Sequence, residues 1–157
     1  MSVRVEPAVA ADLEAIAGLL HALFTQEAEF SPDRDKQLRA LAMLLAQPAA
    51  GRLFVAREAG RVIGMASLQF EISTALGGRA AWVEDVIVDA AQRGRGVGKL
   101  LFQHLIAFAR SEGLLRLSLL TDHDNQDAQG LYTRFGFVRS SMIPMRLVLD
   151  VRAPAKP

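Results

Sequence analysis

The sequence predicts a mixed α/β fold: a central, mostly antiparallel sheet flanked by helices, in the order βααβββαβαβ with an extra C-terminal strand. Three observations predict it. Short β-branched runs alternate with segments whose apolar residues recur at three and four, the periods of a half-buried strand and an amphipathic helix. The apolar run at residues 80–88 feeds a glycine-rich turn, then a helical pattern, then another strand; such a crossover implies a parallel pair. The remaining connections are short and turn-rich, which implies antiparallel neighbours.

Each element follows from its residues. Val3 and Val5 alternate with polar neighbours as a short strand. Leu13, Ile16, Ala17, Leu20, Leu23 and Phe24 repeat at helical spacing, which predicts a helix over Asp12–Glu27. Ser31-Pro32 reads as an N-cap followed by proline at the first helical position, and Leu38, Leu41, Ala42 and Leu45 give that second helix its apolar face. Pro48 and Gly51 end it. Leu53–Ala56 and Val62–Leu68 are strands joined as a hairpin through Glu58-Ala59-Gly60-Arg61. After a polar loop from Ser73 to Gly78 comes the central strand, Ala80–Val88. The helix beyond the glycine turn runs to Glu112 and is capped by Gly113. Leu114–Thr121 is a strand. Asp124-Asn125 opens a last helix carrying Ala128, Leu131, Tyr132 and Phe135, and Gly136 caps it. Phe137-Val138 and Met145–Leu149 are expected to close the sheet. Residues 1–151 thus form a single domain, with a frayed Pro- and Ala-rich tail at 152–157.

Composition narrows the function classes. With 157 residues, one domain with a sizeable core is expected. A net charge of +1 gives no electrostatic footprint for nucleic acid. The absence of cysteine excludes disulfides, a thiol nucleophile and a Cys-based zinc site, and it suits a cytoplasmic protein. No run approaches a membrane span and the first residues lack an apolar signal segment, so no membrane partner is expected. His21, His104 and His123 are scattered, and no metal-ligand constellation exists; His104 rides the apolar stripe of its helix as a packed residue.

The glycine turn is where chemistry concentrates. The first amides of a helix lack internal partners and sit at the positive end of its dipole, while glycines let backbone approach an anion closely. Arg93, Arg95 and Lys99 add full positive charges, so a phosphate or pyrophosphate suits the place. The stretch fails the G-x-x-x-x-G-K-[ST] and G-x-G-x-x-G patterns. Arg93-Gly94-Arg95-Gly96-Val97-Gly98 matches [QR]-x-x-G-x-[GA] completely, directly after the strand end Val86-Ile87-Val88. In this it resembles the coenzyme A pyrophosphate loop of the GNAT superfamily of acyl-CoA N-acyltransferases. The element order is similar along nearly the whole chain. Asn125 through Tyr132 and Arg134 to Gly136-Phe137 resembles the family's N-x-x-(A)-x-x-x-Y-x-[RK]-x-G-F signature.

That resemblance implies acetyl-CoA as co-substrate, bound over Arg93, Gly94, Arg95, Gly96, Val97, Gly98 and Lys99. It implies that Val86, Ile87 and Val88 act through backbone groups, pairing with pantetheine like an added strand, with the Val86 amide receiving the thioester oxygen. Asn125 would bind the pantetheine region while also capping its helix, and Arg134 would reach a cofactor phosphate. Tyr132 is the only tyrosine, and a phenol of pKa ~10 is matched to protonating a departing thiolate. A carboxylate inside an apolar strand is costly unless it has work or a partner. Glu84, placed on the face of Val86 by alternation, is the expected base and amine ligand, and Glu84-Asp85 resembles the pair of diamine and polyamine acetyltransferases. Asp85, on the opposite face, and Glu27 and Phe30, between the first two helices, are candidate contacts to the acceptor. The expected activity is direct acetyl transfer to the primary amine of a small molecule. The alternatives are a non-catalytic acyl-CoA sensor and a protein N-acetyltransferase. A homodimer is a further expectation, since relatives pair through C-terminal strands.

Overall fold

The computed structural model describes residues 2–26 and 31–150. Five strands form one sheet in simple sequence order: β1 Arg4–Pro7, β2 Gly51–Glu58, β3 Arg61–Ser73, β4 Gly78–Val88 and β5 Leu117–Leu119. The first three pairings are antiparallel and β4–β5 is parallel, as the crossover requires. Four helices flank it: α1 Leu13–Gln26, α2 Arg34–Ala46, α3 Val97–Ser111 and α4 Gln126–Arg134. No helix among the described residues is long and apolar enough to cross a membrane.

The sheet carries a core on each face. On one, Phe54, Ala66, Leu68 and Val83 meet Val97, Leu101, Phe102 and Leu105 of α3. On the other, Val55, Met65 and Ile87 meet Ile16, Ala17 and Leu20 of α1 and Leu41 of α2. The β2–β3 turn places Ala59 at φ 48° and Gly60 at φ 79°, the left-handed pair that a two-residue hairpin needs.

Three expectations change. The second helix is capped by Asp33, whose carboxylate accepts from the Lys36 amide at 3.1 Å, and not by Ser31; a carboxylate at the N-cap also complements the helix dipole. The strand expected over Leu114–Thr121 shrinks to Leu117–Leu119; at its start, Gly113 and Leu114 complete the end of α3, with the Leu114 amide donating to the Ala109 carbonyl at 2.9 Å. Phe137-Val138 and Met145–Leu149 form no strand. A β-branched run becomes a strand only against a partner edge, and residues 138–150 run exposed beyond α4. The expected tail at 152–157 and the boundary at 151 lie outside the described residues.

The N-terminal strand is tied down by charge. Arg57 on β2 donates from Nε to Glu6 on β1 at 2.6 Å and from Nη2 to both oxygens of Asp12 at 2.8 and 2.9 Å. Asp12 is only 5% exposed, and one of its oxygens also accepts from the Val9 amide at 3.0 Å. Burial alone would raise its carboxyl, but the Val9 amide and the Arg57 guanidinium outweigh burial and hold it below the usual carboxylate range. Arg57→Met leaves that carboxylate buried and unpaired, and a loss of about 3 kcal/mol is expected in urea unfolding at pH 7. A depressed carboxyl stabilises above its ordinary pKa and ceases to as pH falls through its lowered value. The gap between variant and wild type therefore narrows in acid; a constant gap from pH 7 to pH 3 would show that the ion pair is not the source.

Candidate active site

The site begins with one extra residue in β4. The β3–β4 ladder pairs Met65 with Ile87 and Ala66 with Val86, then Leu68 with Val83. Ser67 thus faces two residues, Glu84 and Asp85, which is a β-bulge. Backbone direction inverts there. Before it, the Ala81 amide donates toward β5, to the Arg116 carbonyl at 3.0 Å. After it, the Asp85 amide donates toward β3, to Ser67 Oγ at 3.2 Å, and the Asp89 amide to the Ile63 carbonyl at 2.9 Å. Residues an even number apart should share an edge, so the bulge has switched it. By the same alternation the Val86 and Val88 amides point to the β5 side. There β5 pairs only with Ala81–Val83, so the strands part beyond Val83 and leave a notch along Glu84–Val88.

The bulge also corrects the expected face of Glu84. Val83 and Val86, three apart, both pack on the α3 side, so strict alternation fails between them. Glu84 is exposed and Asp85 half-buried. Burial pushes the Asp85 carboxyl up to about 6, the neighbouring Glu84 charge adds to this, and a hydrogen bond from the Ser67 hydroxyl pulls back.

At the end of β4 the chain makes the expected turn. Asp89 accepts from the Ala91 amide at 3.0 Å and so caps a single 3-10 turn, Ala90–Gln92. Gly94 at φ 77° and Gly96 at φ 82° then carry the backbone through the left-handed region to the start of α3. A side chain there would be strained whatever the space, and the space over both glycines is open. The first intrahelical bond is from the Leu100 amide to the Gly96 carbonyl at 3.1 Å, which leaves Val97, Gly98 and Lys99 with amides that have no helical acceptor. Arg95 reaches away to Glu58, with contacts of 2.9 and 3.0 Å. Arg93 donates to the Val88 carbonyl at 3.5 Å and lines a cavity of about 320 Å³ against α1.

α4 leans on this turn, with Leu131 Cδ2 3.8 Å from where a Cβ on Gly98 would sit. Asn125 Oδ1 accepts from the Ala128 amide at 3.3 Å and caps α4. The Tyr132 ring packs on Phe102 at 5.2 Å and Phe137 at 6.1 Å, and burial pushes its phenol above the usual value. Arg134 is exposed and donates to the Gly130 carbonyl at 3.2 Å. His104 packs edge-on against Phe54 at 4.8 Å and burial lowers its pKa, as expected of a core histidine. Glu27 and Phe30 lie outside the described residues. Among the described residues no group of three or more His, Asp and Glu side chains could hold a metal.

Two polar residues that the sequence reading passed over stand near the bulge. Ser67 is 2% and Gln37 6% exposed, and both line a second cavity with Asp85. Each carried a signal: Ser67 interrupts an apolar strand, and Gln37 lies four residues before Leu41 on the buried stripe of α2.

The acetyltransferase (GNAT) family model matches residues 14–137. Over 99 residues the chain is 35% identical to a glucosamine 6-phosphate N-acetyltransferase of Trypanosoma brucei brucei, covering 62% of this chain and 65% of that one. The match therefore spans slightly less than two thirds of that relative. Among solved structures, an integron cassette protein from the mobile metagenome of Cole Harbour Salt Marsh superposes with a TM-score of 0.82 at 25% identity, over 97% of this chain and 92% of that one. An acetyltransferase of Trypanosoma brucei superposes at 0.73 with 28% identity, over 94% and 100%. With the bulge, the glycine turn and α4 all inside the matched residues, the chain belongs to the acetyltransferase (GNAT) family.

Proposed function

We propose that the chain transfers an acetyl group from acetyl-CoA directly to the primary amine of a small molecule. The observation that carries this is the pairing of a notch edge, where the Val86 and Val88 amides point outward, with the bare amides at the start of α3. An extended chain of amides adds to such an edge as a strand would, and a pyrophosphate suits the helix start beside it. Family membership supplies acetyl-CoA as the donor, and the relative named for glucosamine 6-phosphate supports a small amine as acceptor.

On this reading the roles are divided as follows. Val97, Gly98 and Lys99 hold the diphosphate through backbone amides, with Arg93 and Lys99 adding charge, while Arg95 braces the turn from Glu58. Asn125 keeps α4 against the notch. Glu84, exposed on the bulge, takes a proton from the acceptor ammonium. The freed nitrogen forms a C–N bond to the thioester carbon, and the Val86 amide donates to the oxygen as negative charge gathers there. The C–S bond breaks as Tyr132 gives its proton to the sulfur, and the second proton shed by the newly bonded nitrogen restores the phenol, so that Glu84 alone is left protonated. A phenol raised by burial remains protonated at neutral pH, as that role needs. The chain also acts as a homodimer on this reading, which is supported by the exposed apolar side chains from Val138 to Leu149.

Three variants test these roles. Gly96→Glu puts a strained residue and a negative charge at the phosphate seat, and calorimetry should read at least a ~10-fold loss of acetyl-CoA affinity. Equal affinity in a folded variant removes the seat from the turn. Tyr132→Phe keeps the ring on Phe102, so the melting temperature should hold while kcat and kcat/KM fall together by roughly 10²–10⁴. A lower melting temperature with wild-type turnover would make Tyr132 a packing residue. Glu84→Gln should slow transfer most at low pH, where the acceptor amine is most protonated; an unchanged pH–rate profile leaves Glu84 without a role in proton transfer.

A further inference from the structure

Between α1, α2 and the bulge lies a cavity of about 120 Å³ that the roles above do not use. Its walls from α1 and α2 are apolar except for Gln37. Gln37 is 6% exposed, and neither its Nε2 nor its Oε1 has a hydrogen-bond partner. Leaving both ends of a buried carboxamide unmade is costly and rare in folded proteins. From the sheet side the cavity receives the Ser67 hydroxyl, Gln69 and the Asp85 carboxylate. It is thus a small recess with one orphan donor, one orphan acceptor and a carboxylate, and no cation lines it among the described residues.

We propose that this recess is the acceptor pocket and that it takes an amino-alcohol unit, a primary ammonium with a hydroxyl on the neighbouring carbon. The inference rests on the transferase reading above and deepens it by naming the acceptor class. The ammonium donates to Asp85, which adjoins Glu84 on the bulge and so holds the nitrogen beside the base, and to Gln37 Oε1; the hydroxyl oxygen accepts from Gln37 Nε2. A recess of about 120 Å³ suits a molecule of a few non-hydrogen atoms, such as 2-aminoethanol. A bare alkylammonium would leave Nε2 unsatisfied, and an anion would meet Asp85. The elevated Asp85 carboxyl agrees with a partly desolvated acid that a cation would stabilise, Glu84 being the other charged group that acts on it.

NMR titration of the full chain, following the Ser67 and Asp85 amides, reads the affinity for 2-aminoethanol, ethylammonium and ethylene glycol. Wild type should prefer 2-aminoethanol over ethylammonium by about fivefold, the worth of one added neutral hydrogen bond. Gln37→Leu should erase that preference, and it should fold at least as well as wild type because it removes an unsatisfied amide. Asp85→Asn should weaken 2-aminoethanol by about tenfold or more, since a charge-assisted bond is lost. Acetyl-CoA affinity should be the same in all three proteins. Absence of 2-aminoethanol binding, or equal binding by all three proteins, overturns the pocket even if acetyl-CoA binds. Binding of 2-aminoethanol with the expected variant pattern, but no binding of acetyl-CoA, upholds the recess and fails the transferase reading instead.

Discussion

The bulge opposite Ser67 is the constraint on which the rest of the site depends. A strand offers its amides to alternate edges and its side chains to alternate faces, and one extra residue reverses both. Upstream of it, β4 uses its outer edge to hold β5. Downstream, the same edge is turned to the notch, while Val86 and Ile87 take opposite cores. If the same residues ran on in strict alternation from Val83, the Val86 and Val88 amides would turn toward β3, and the carboxylate of Asp85 would be carried to the α3 side. The bulge is held from both strands: Ser67 Oγ takes the Asp85 amide that the regular ladder would have given to a carbonyl.

The two cores share the labour that this geometry creates. α3 must start where β4 ends, so its N-terminal amides open beside the notch, and Val97, Leu101 and Leu105 fix it there by burial. α1 and α2 cover the other face and close the recess around Gln37. The Arg57 cluster pins β1 and the entry to α1 to β2, so the helix that roofs the opposite side of β4 is anchored by ion pairs as well as by apolar contact.

Most of the architecture was legible in the residues, because strand and helix periods are local. The β2–β3 hairpin, the start of α3 at the glycine turn and the capping of α4 by Asn125 all read directly from residue type and spacing. The face of Glu84 was not legible, since nothing in Trp82-Val83-Glu84-Asp85-Val86 announces that two residues will oppose one; register belongs to the pair of strands and not to either alone. Gln37 was missed for a similar reason. A polar residue on a helix stripe is ordinary until its burial and its lack of partners are known. The C-terminal run misled in the opposite way: Met145–Leu149 has the composition of a strand, but composition cannot supply the edge it would pair with.

That run has a thermal consequence. From Val138 to Leu149 the large apolar side chains are 63–92% exposed. Water released from such surface drives contact mainly through entropy near room temperature, and the drive weakens on cooling. A partner held on by this segment is therefore held less tightly on ice than at growth temperature. If such a partner exists, cold samples favour the separated chain and warming, within the range where the fold survives, favours its coverage.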